Sequence, residues 1–139
     1  MRKPNDTKIV ELTTNGQHIR TIQHDTVSNK LLFDTPVCIC TNINGDIIVL
    51  DNRRKIVAIN KSSTKRFIYN GKERNLKNLW SPQYVVTSRY GHIIISDHRN
   101  SVLHMLDKDG NFIEFLFTLD HGCCHPTGLA IDILGRLWD

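Results

Sequence analysis

The sequence lacks any long hydrophobic run, and no stretch approaches the roughly 20 apolar residues that span a membrane. Its first residues, Met-Arg-Lys-Pro-Asn-Asp, are polar and contain no apolar core of a secretory signal. We therefore expect no membrane partner and a cytoplasmic location. The composition, 40% apolar and 23% charged over 139 residues, is typical of an ordinary globular domain.

The sequence also lacks a spaced cysteine framework, because its four cysteines form two close pairs, Cys38/Cys40 and Cys123/Cys124. Cys38 and Cys40 are predicted to point to the same face of one strand, where they cannot easily bridge each other. The segment 121–125, His-Gly-Cys-Cys-His, offers four potential metal ligands. Such adjacent ligands rarely hold one tetrahedral zinc without strain, and the C-x-x-C spacing is missing. We predict reduced thiols, no metal and no cofactor; a zinc site at 121–125 is the alternative.

What the sequence does contain is a repeat. Pro36–Asp51 and Pro82–Asp97 both carry a proline, a glycine nine positions later, two isoleucines and an aspartate, with a period of 46 residues (82 minus 36). A third copy opens at Pro126 and has Gly135 at the same offset. A repeat of 40 to 50 residues made of short apolar runs is the size of one four-stranded propeller blade.

Each complete unit divides into four short strands. In the first complete unit the apolar runs are 37–40, 47–50, 56–59 and 66–69, and the turns between them are rich in Asn, Asp, Gly and Ser. Consecutive apolar residues such as Ile47-Ile48-Val49 indicate a strand covered on both faces, as it is between neighbouring blades. We expect Asp51 and Asp97 to fix the turn that follows each of them, and Gly45, Gly91 and Gly135 to adopt positive φ.

The predicted fold is all-β: a partial β-propeller of four-stranded antiparallel blades, with about three blades' worth of strands. Residues 6–23 are predicted to form a half blade, 36–69 and 82–117 two blades, and 126–139 the start of a blade. We expect the chain to be a piece of a larger ring. Its open blade flanks could support self-association, in which the N-terminal half blade of one copy completes the C-terminal start of another.

The string from His125 to Leu137, together with Asp97–Leu103 and Asp107–Phe112, resembles NHL repeats, and the resemblance covers nearly the whole chain. Departures are Val37-Cys38, where the family favours glycine, and Lys61–Thr64 in place of the usual aspartate-glycine turn. The resemblance implies a six-bladed binding platform, most familiar at the C-terminal end of tripartite-motif ubiquitin ligases, where it selects protein or RNA partners. The sequence has no RING or B-box array of Cys and His, so any ligase activity would lie elsewhere.

Candidate binding residues follow from charge and topology. Since strands alternate in direction, the turns between second and third strands lie on the same face as the long connections between blades. That face is predicted to form a basic rim with nearby aromatics, made of Arg53, Arg54, Lys55, Tyr69, Lys72, Arg74, Lys77, Trp80, His98 and Arg99.

Four hypotheses for the function of the chain remain: protein binding, RNA binding, a rim that is only a solvated surface, and a fragment of an enzyme. A protein partner is favoured over RNA, although a basic surface with aromatics also suits phosphates and splayed bases. A net charge of +4 beside 14 acidic residues also fits a solvated surface, and the equivalent Arg53 and Arg99 could simply bridge blades. The enzyme hypothesis is a fragment of an NHL-type metal-dependent lyase or lactonase, but no catalytic spacing is visible around His24, His104 or His121. We therefore predict a non-catalytic binding module.

Overall fold

The computed structural model describes residues 7–71, 76–117 and 128–138. None of these residues lies in a helix, so no helix among them could cross a membrane. The strands are β1 Ile9–Leu12, β2 His18–Ile22, β3 Pro36–Thr41, β4 Ile47–Asp51, β5 Lys55–Ile59, β6 Lys65–Tyr69, β7 Pro82–Thr87, β8 Ile93–Asp97, β9 Val102–Leu106, β10 Phe112–Phe117, β11 Ala130–Ile131 and β12 Leu137–Trp138.

The strands form four antiparallel sheets in chain order. Two sheets have four strands, β3-β4-β5-β6 and β7-β8-β9-β10, and two have two strands, β1-β2 and β11-β12. Pro36 pairs with Asp51 at the edge of one four-stranded sheet, and Pro82 pairs with Asp97 at the same place in the other. The predicted all-β class with four-stranded antiparallel blades is therefore confirmed. Residues 6, 126, 127 and 139 of the predicted boundaries lie outside the described ranges.

The sheets stack face to face, which explains why their central strands are apolar at consecutive positions. All residues of β4 and β8 are buried. One core cluster joins the two four-stranded sheets through residues such as Ile56 and Ile95. A second joins β1-β2 to β3–β6, and a third joins β7–β10 to β11-β12. Each fully buried aliphatic side chain contributes about 1.5–3 kcal/mol, so both faces of each blade stabilise the stack.

The hairpins that join β1 to β2, β3 to β4, β5 to β6, β7 to β8, β9 to β10 and β11 to β12 share one geometry, and we call their side of the stack the lower face. In each, the N–H of the fourth residue donates to the carbonyl of the first at 2.9–3.1 Å. The fourth residue has positive φ, as expected for Gly45, Gly91 and Gly135. In the β5–β6 hairpin this place is taken by Ser63, at φ 60°.

The opposite side of the stack, the upper face, holds the β4–β5 and β8–β9 turns and the connection 70–81. Asp51 and Asp97 were expected to fix the turns that follow them. The structure corrects this for Asp51, whereas the Asp97 carboxylate does accept a hydrogen bond from the Asn100 side chain of the following turn (2.9 Å). Both carboxylates also bind the backbone just before a first strand: Asp51 accepts from Asp34 N (2.8 Å) and Thr35 N (2.7 Å), and Asp97 accepts from Ser81 N (3.1 Å). The reason is antiparallel pairing, which places the start of each first strand opposite the end of the second.

Candidate functional site

The upper face brings most of the predicted rim together. Among its cations, Arg53, Arg54, Lys77 and Arg99 are exposed and Lys55 is half-buried. The predicted rim residues His98 and Trp80 are also half-buried. Lys72 and Arg74 lie outside the described residues, so the structure says nothing about them. The rim is therefore a surface built from the β4–β5 turn, the β8–β9 turn and the end of the connection between the two four-stranded sheets.

Trp80 anchors the connection to the preceding blade. Its indole Nε1–H donates to the carbonyl oxygen of Arg54 at 2.6 Å. Its ring packs so closely on Gly71 that a Cβ at position 71 would lie 2.7 Å from ring atom Cδ2. The ring centroids of Tyr69 and His104 lie 5.5 and 4.5 Å from that of Trp80. These contacts fix both the ring and the backbone that precedes Ser81.

A groove of about 590 Å³ runs along this anchored tryptophan. Its wall is mainly apolar, with Ile68 from β6 and Leu79 from the connection beside Trp80. Leu79 is 75% exposed and Ile68 45% exposed, so their methyl groups are available to a ligand. Arg54 and Lys55 line the groove at the start of β5.

The cations of the rim differ in how far they are neutralised. Lys55 Nζ lies 3.8 Å from Asp34 and 3.9 Å from Asp51, and Arg53 Nη1 donates to Gln83 Oε1 of the next blade at 3.0 Å. Arg53 thus does bridge blades. Within the described ranges no ion pair involves the side chains of Arg54, Lys77 or Arg99. These three side chains are the ones best placed to meet a partner's negative charge.

Tyr69 was expected among the rim aromatics, and its position corrects that expectation. It is only 8% exposed, and its hydroxyl lies 2.6 Å from Nδ1 of His104. Tyr69 ends β6 on the side that faces the next blade, so its ring fills the core between the two four-stranded sheets. Trp80 is the candidate aromatic that remains at the surface.

Sequence reasoning missed a buried polar chain beneath Trp80. His104 Nε2 lies 2.9 Å from Asp97 Oδ2, while Nδ1 meets Tyr69. A neutral imidazole satisfies both contacts if Nε2–H donates to Asp97 and the Tyr69 hydroxyl donates to Nδ1. His104 and Asp97 are both 0% exposed, so this series of hydrogen-bonded side chains links the two blades and offers no reactive surface. The available signal was a histidine within the apolar strand Val102-Leu103-His104-Met105-Leu106.

The cysteines and potential metal ligands add no reactive centre among the described residues. Cys38 and Cys40 are both free, and burial, followed by the neighbouring Cys38, raises the pKa of the Cys40 thiol to about 12. That thiol therefore stays protonated at neutral pH. In the parts of the chain that the structure describes, no group of three or more His, Cys, Asp or Glu side chains could hold a metal ion. The segment 121–125 lies outside those parts.

Comparison with known protein families and curated proteins identifies no relative, so any functional conclusion depends on the residues of the upper face. No protein-family model matches the chain, and no curated protein does. The resemblance to NHL repeats therefore stays a hypothesis that rests on the motifs quoted above. The structure supports the coarser statement that the fold is a partial β-propeller.

Proposed function

We propose that this chain is a non-catalytic β-propeller binding module, of the kind built by NHL repeats, whose upper face binds a protein partner. The observation that carries the proposal is the position of Arg54, Lys77 and Arg99, which are unpaired within the described residues and lie on one face with an apolar groove. The lower face also carries exposed cations without an ion pair within the described residues, namely Lys61, Lys65 and Lys108. What distinguishes the upper face is therefore the apolar groove beside Arg54.

A protein partner fits this face better than RNA does. Single-stranded RNA is bound largely by stacking bases on exposed aromatic or arginine planes. With Tyr69 buried, Trp80 is the aromatic candidate left on the described rim, and its ring already packs on Gly71 and His104. Further stacking planes would have to come from Arg54 and Arg99. Leu79 and Ile68 instead provide the aliphatic contact surface common in protein interfaces.

The wider role that the resemblance implies is partner selection for a tripartite-motif-like ubiquitin ligase in the cytoplasm, and we propose it for this chain. The ligase chemistry would come from a RING domain, for which this chain has no residues. The chain's own contribution is recognition.

The test is affinity capture from a lysate of the source cells, with the chain immobilised and nuclease added to half of the samples. We expect wild-type chain to retain one or more proteins regardless of nuclease, and R53E/R54E/R99E to lose them. The matched control reverses three lower-face cations, K61E/K65E/K108E, and should retain the same proteins. Direct titrations of a retained protein at two salt concentrations then measure its affinity.

RNA binding has a different signature in the same titrations. Each neutralised phosphate releases counterions, so log affinity for single-stranded RNA falls with log salt by about 0.7 per contact. A steep slope with an RNA pool, and nuclease-sensitive capture of proteins, would replace the protein hypothesis by RNA. Equal capture by wild type and the upper-face triple variant would contradict the assignment of the binding face.

A further inference from the structure

We infer that the groove beside Trp80 binds an extended acidic peptide segment that inserts one large apolar side chain. This inference rests on the proposed function and narrows it, because it names the part of the partner that the upper face recognises. The groove is formed by the start of β5, the end of β6 and the residues just before β7.

The apolar half of the site is made by Leu79, Ile68 and the ring of Trp80. Leu79 and Ile68 expose 75% and 45% of their surface on the same wall. A single buried aliphatic or aromatic side chain from a partner removes such surface from water, and anchors of this kind dominate binding energy at interfaces. We therefore assign this wall to one large apolar residue of the ligand.

Contacts within the protein position the Trp80 part of this wall. The Trp80 indole is held at one edge by the Arg54 carbonyl, at 2.6 Å, and its face lies against Gly71. Asn78 on the same connection donates to the carbonyl of Arg99 at 2.9 Å, and its own N–H donates to Asn100 Oδ1 at 2.8 Å. A wall positioned in this way adds little ordering cost of its own, which helps offset the entropy that a short linear segment loses on binding.

The charge of the lining selects an acidic segment. The groove is lined by two cations, Arg54 and Lys55, and by no aspartate or glutamate among the described residues. Lys55 is partly neutralised by Asp34 and Asp51, at 3.8 and 3.9 Å, while the Arg54 side chain has no ion pair within the described ranges. A carboxylate beside the apolar anchor would pair with Arg54, whereas a lysine or arginine there would be repelled.

The experiment pans a phage-displayed random peptide library on the full chain, with counter-selection on the double variant R54E/L79S. We expect the retained peptides to carry several Asp or Glu residues around one Leu, Ile, Phe or Trp. A fluorescein-labelled synthetic copy of the most frequent peptide is then titrated by polarisation. Arg54→Glu and Leu79→Ser should each weaken its binding by about tenfold or more, the change expected at a contact that anchors an interface.

Two controls match these substitutions on the lower face. Lys108→Glu reverses the charge of an exposed cation, and Ile43→Ser removes an apolar side chain that is 69% exposed. Both should leave the affinity unchanged. Because Arg54, Leu79 and the two control residues are exposed, circular dichroism should show the same fold for all four variants.

Several outcomes would overturn the inference. They are an empty selection, peptides enriched in lysine or arginine, or peptides that bind R54E and L79S as tightly as wild type. If R53E/R99E weakens capture of the cellular partner while R54E and L79S do not, the groove assignment is wrong but the upper-face function stands. If no upper-face variant weakens capture, the proposed function itself fails.

Discussion

The buried aspartates at equivalent positions of the two blades contact different side chains. Asp51 and Asp97 both clamp the start of the first strand, yet Asp51 lies 3.9 Å from the ammonium of Lys55 and Asp97 contacts His104 at 2.9 Å. The repeat in the sequence predicted a structural aspartate at both positions. It could not predict the backbone N–H donors, because they lie 16 or 17 residues earlier in the chain and meet the carboxylate only through strand pairing.

The Tyr69–His104 contact is expected to stabilise the junction between the two four-stranded sheets. Tyr69→Phe removes the hydroxyl that satisfies His104 Nδ1 and should lower the free energy of unfolding by about 1 kcal/mol, and by more if the buried nitrogen stays unpaired. Urea denaturation measures the change. The matched control is Tyr90→Phe, at a tyrosine that is 71% exposed, and should have almost no effect. Equal stability of the two variants would show that the buried bond contributes nothing.

Asp25 should make stability depend on pH in the acid range. Backbone N–H groups of Lys65, Ser28 and Val27 donate to its carboxylate and lower its pKa from 3.8 to about 2. A pKa lowered in the folded state means that the bonds stabilise the fold fully above the unfolded value. Their contribution is then lost as pH falls from about 4 to about 2. Across this window the free energy of unfolding should change less steeply with pH for Asp25→Asn than for the wild type. The same pH dependence in both would contradict the assignment to Asp25.

At the scale of elements, the lower-face hairpins repeat one turn in which the fourth residue has positive φ. Glycine marked this place correctly in the predicted turns, including Gly45 and Gly91. The Lys61–Thr64 turn looked like a departure, but Ser63 takes the glycine's place at φ 60° and the hydrogen bonds are the same. The side chain of Asn60 accepts from Ser62 N and Thr64 N, just as Asp107 accepts from Asp109 N and Asn111 N in the turn that contains Gly110.

Substitution of two of these glycines distinguishes the cost of backbone strain from the cost of disturbed packing between blades. Gly16 and Gly110 have φ of 90° and 87°, but a Cβ at Gly16 meets nothing within 4 Å, while one at Gly110 would overlap the Phe67 ring of the neighbouring blade. Gly16→Ala should cost roughly 1–2 kcal/mol from φ alone. Gly110→Ala should cost more, because Phe67 must move as well. Chemical denaturation of both variants measures the difference, and equal losses would mean that the blades are loosely packed there.

At the scale of the whole molecule, the stacking of sheets was predictable and the side chains that face each neighbour were not. Runs such as Ile93-Ile94-Ile95 indicate strands covered on both faces. Burial does alternate along β6, but residue type does not follow it: apolar Ile68 lies on the exposed side, and Tyr69, which the sequence suggested for the rim, lies on the buried side. The candidate groove could not be predicted from the sequence either, because Ile68 of β6 and Leu79 of the connection come together only in the folded chain.

The hairpin β1-β2 is expected to promote self-association of the isolated chain. Val10, Leu12 and Ile19 are 43%, 53% and 53% exposed there, and clustered apolar surface of this kind commonly mediates contact between molecules. Light scattering over a concentration series should show an apparent mass that rises with concentration, and L12K/I19K should reduce the rise. The control I43K alters a similarly exposed isoleucine on the lower face and should not. A wild-type chain that stays monomeric throughout would contradict the expectation.

Hydrogen–deuterium exchange tests the central claim, recognition through the upper face, most directly. The full chain is measured alone and with the protein partner captured by wild type and lost by R53E/R54E/R99E. Binding should slow exchange in segments 52–55, 76–81 and 98–101, and leave the lower-face turns 42–46, 60–64 and 107–111 unchanged. Protection confined to the lower-face turns, with none in the upper-face segments, would contradict the account.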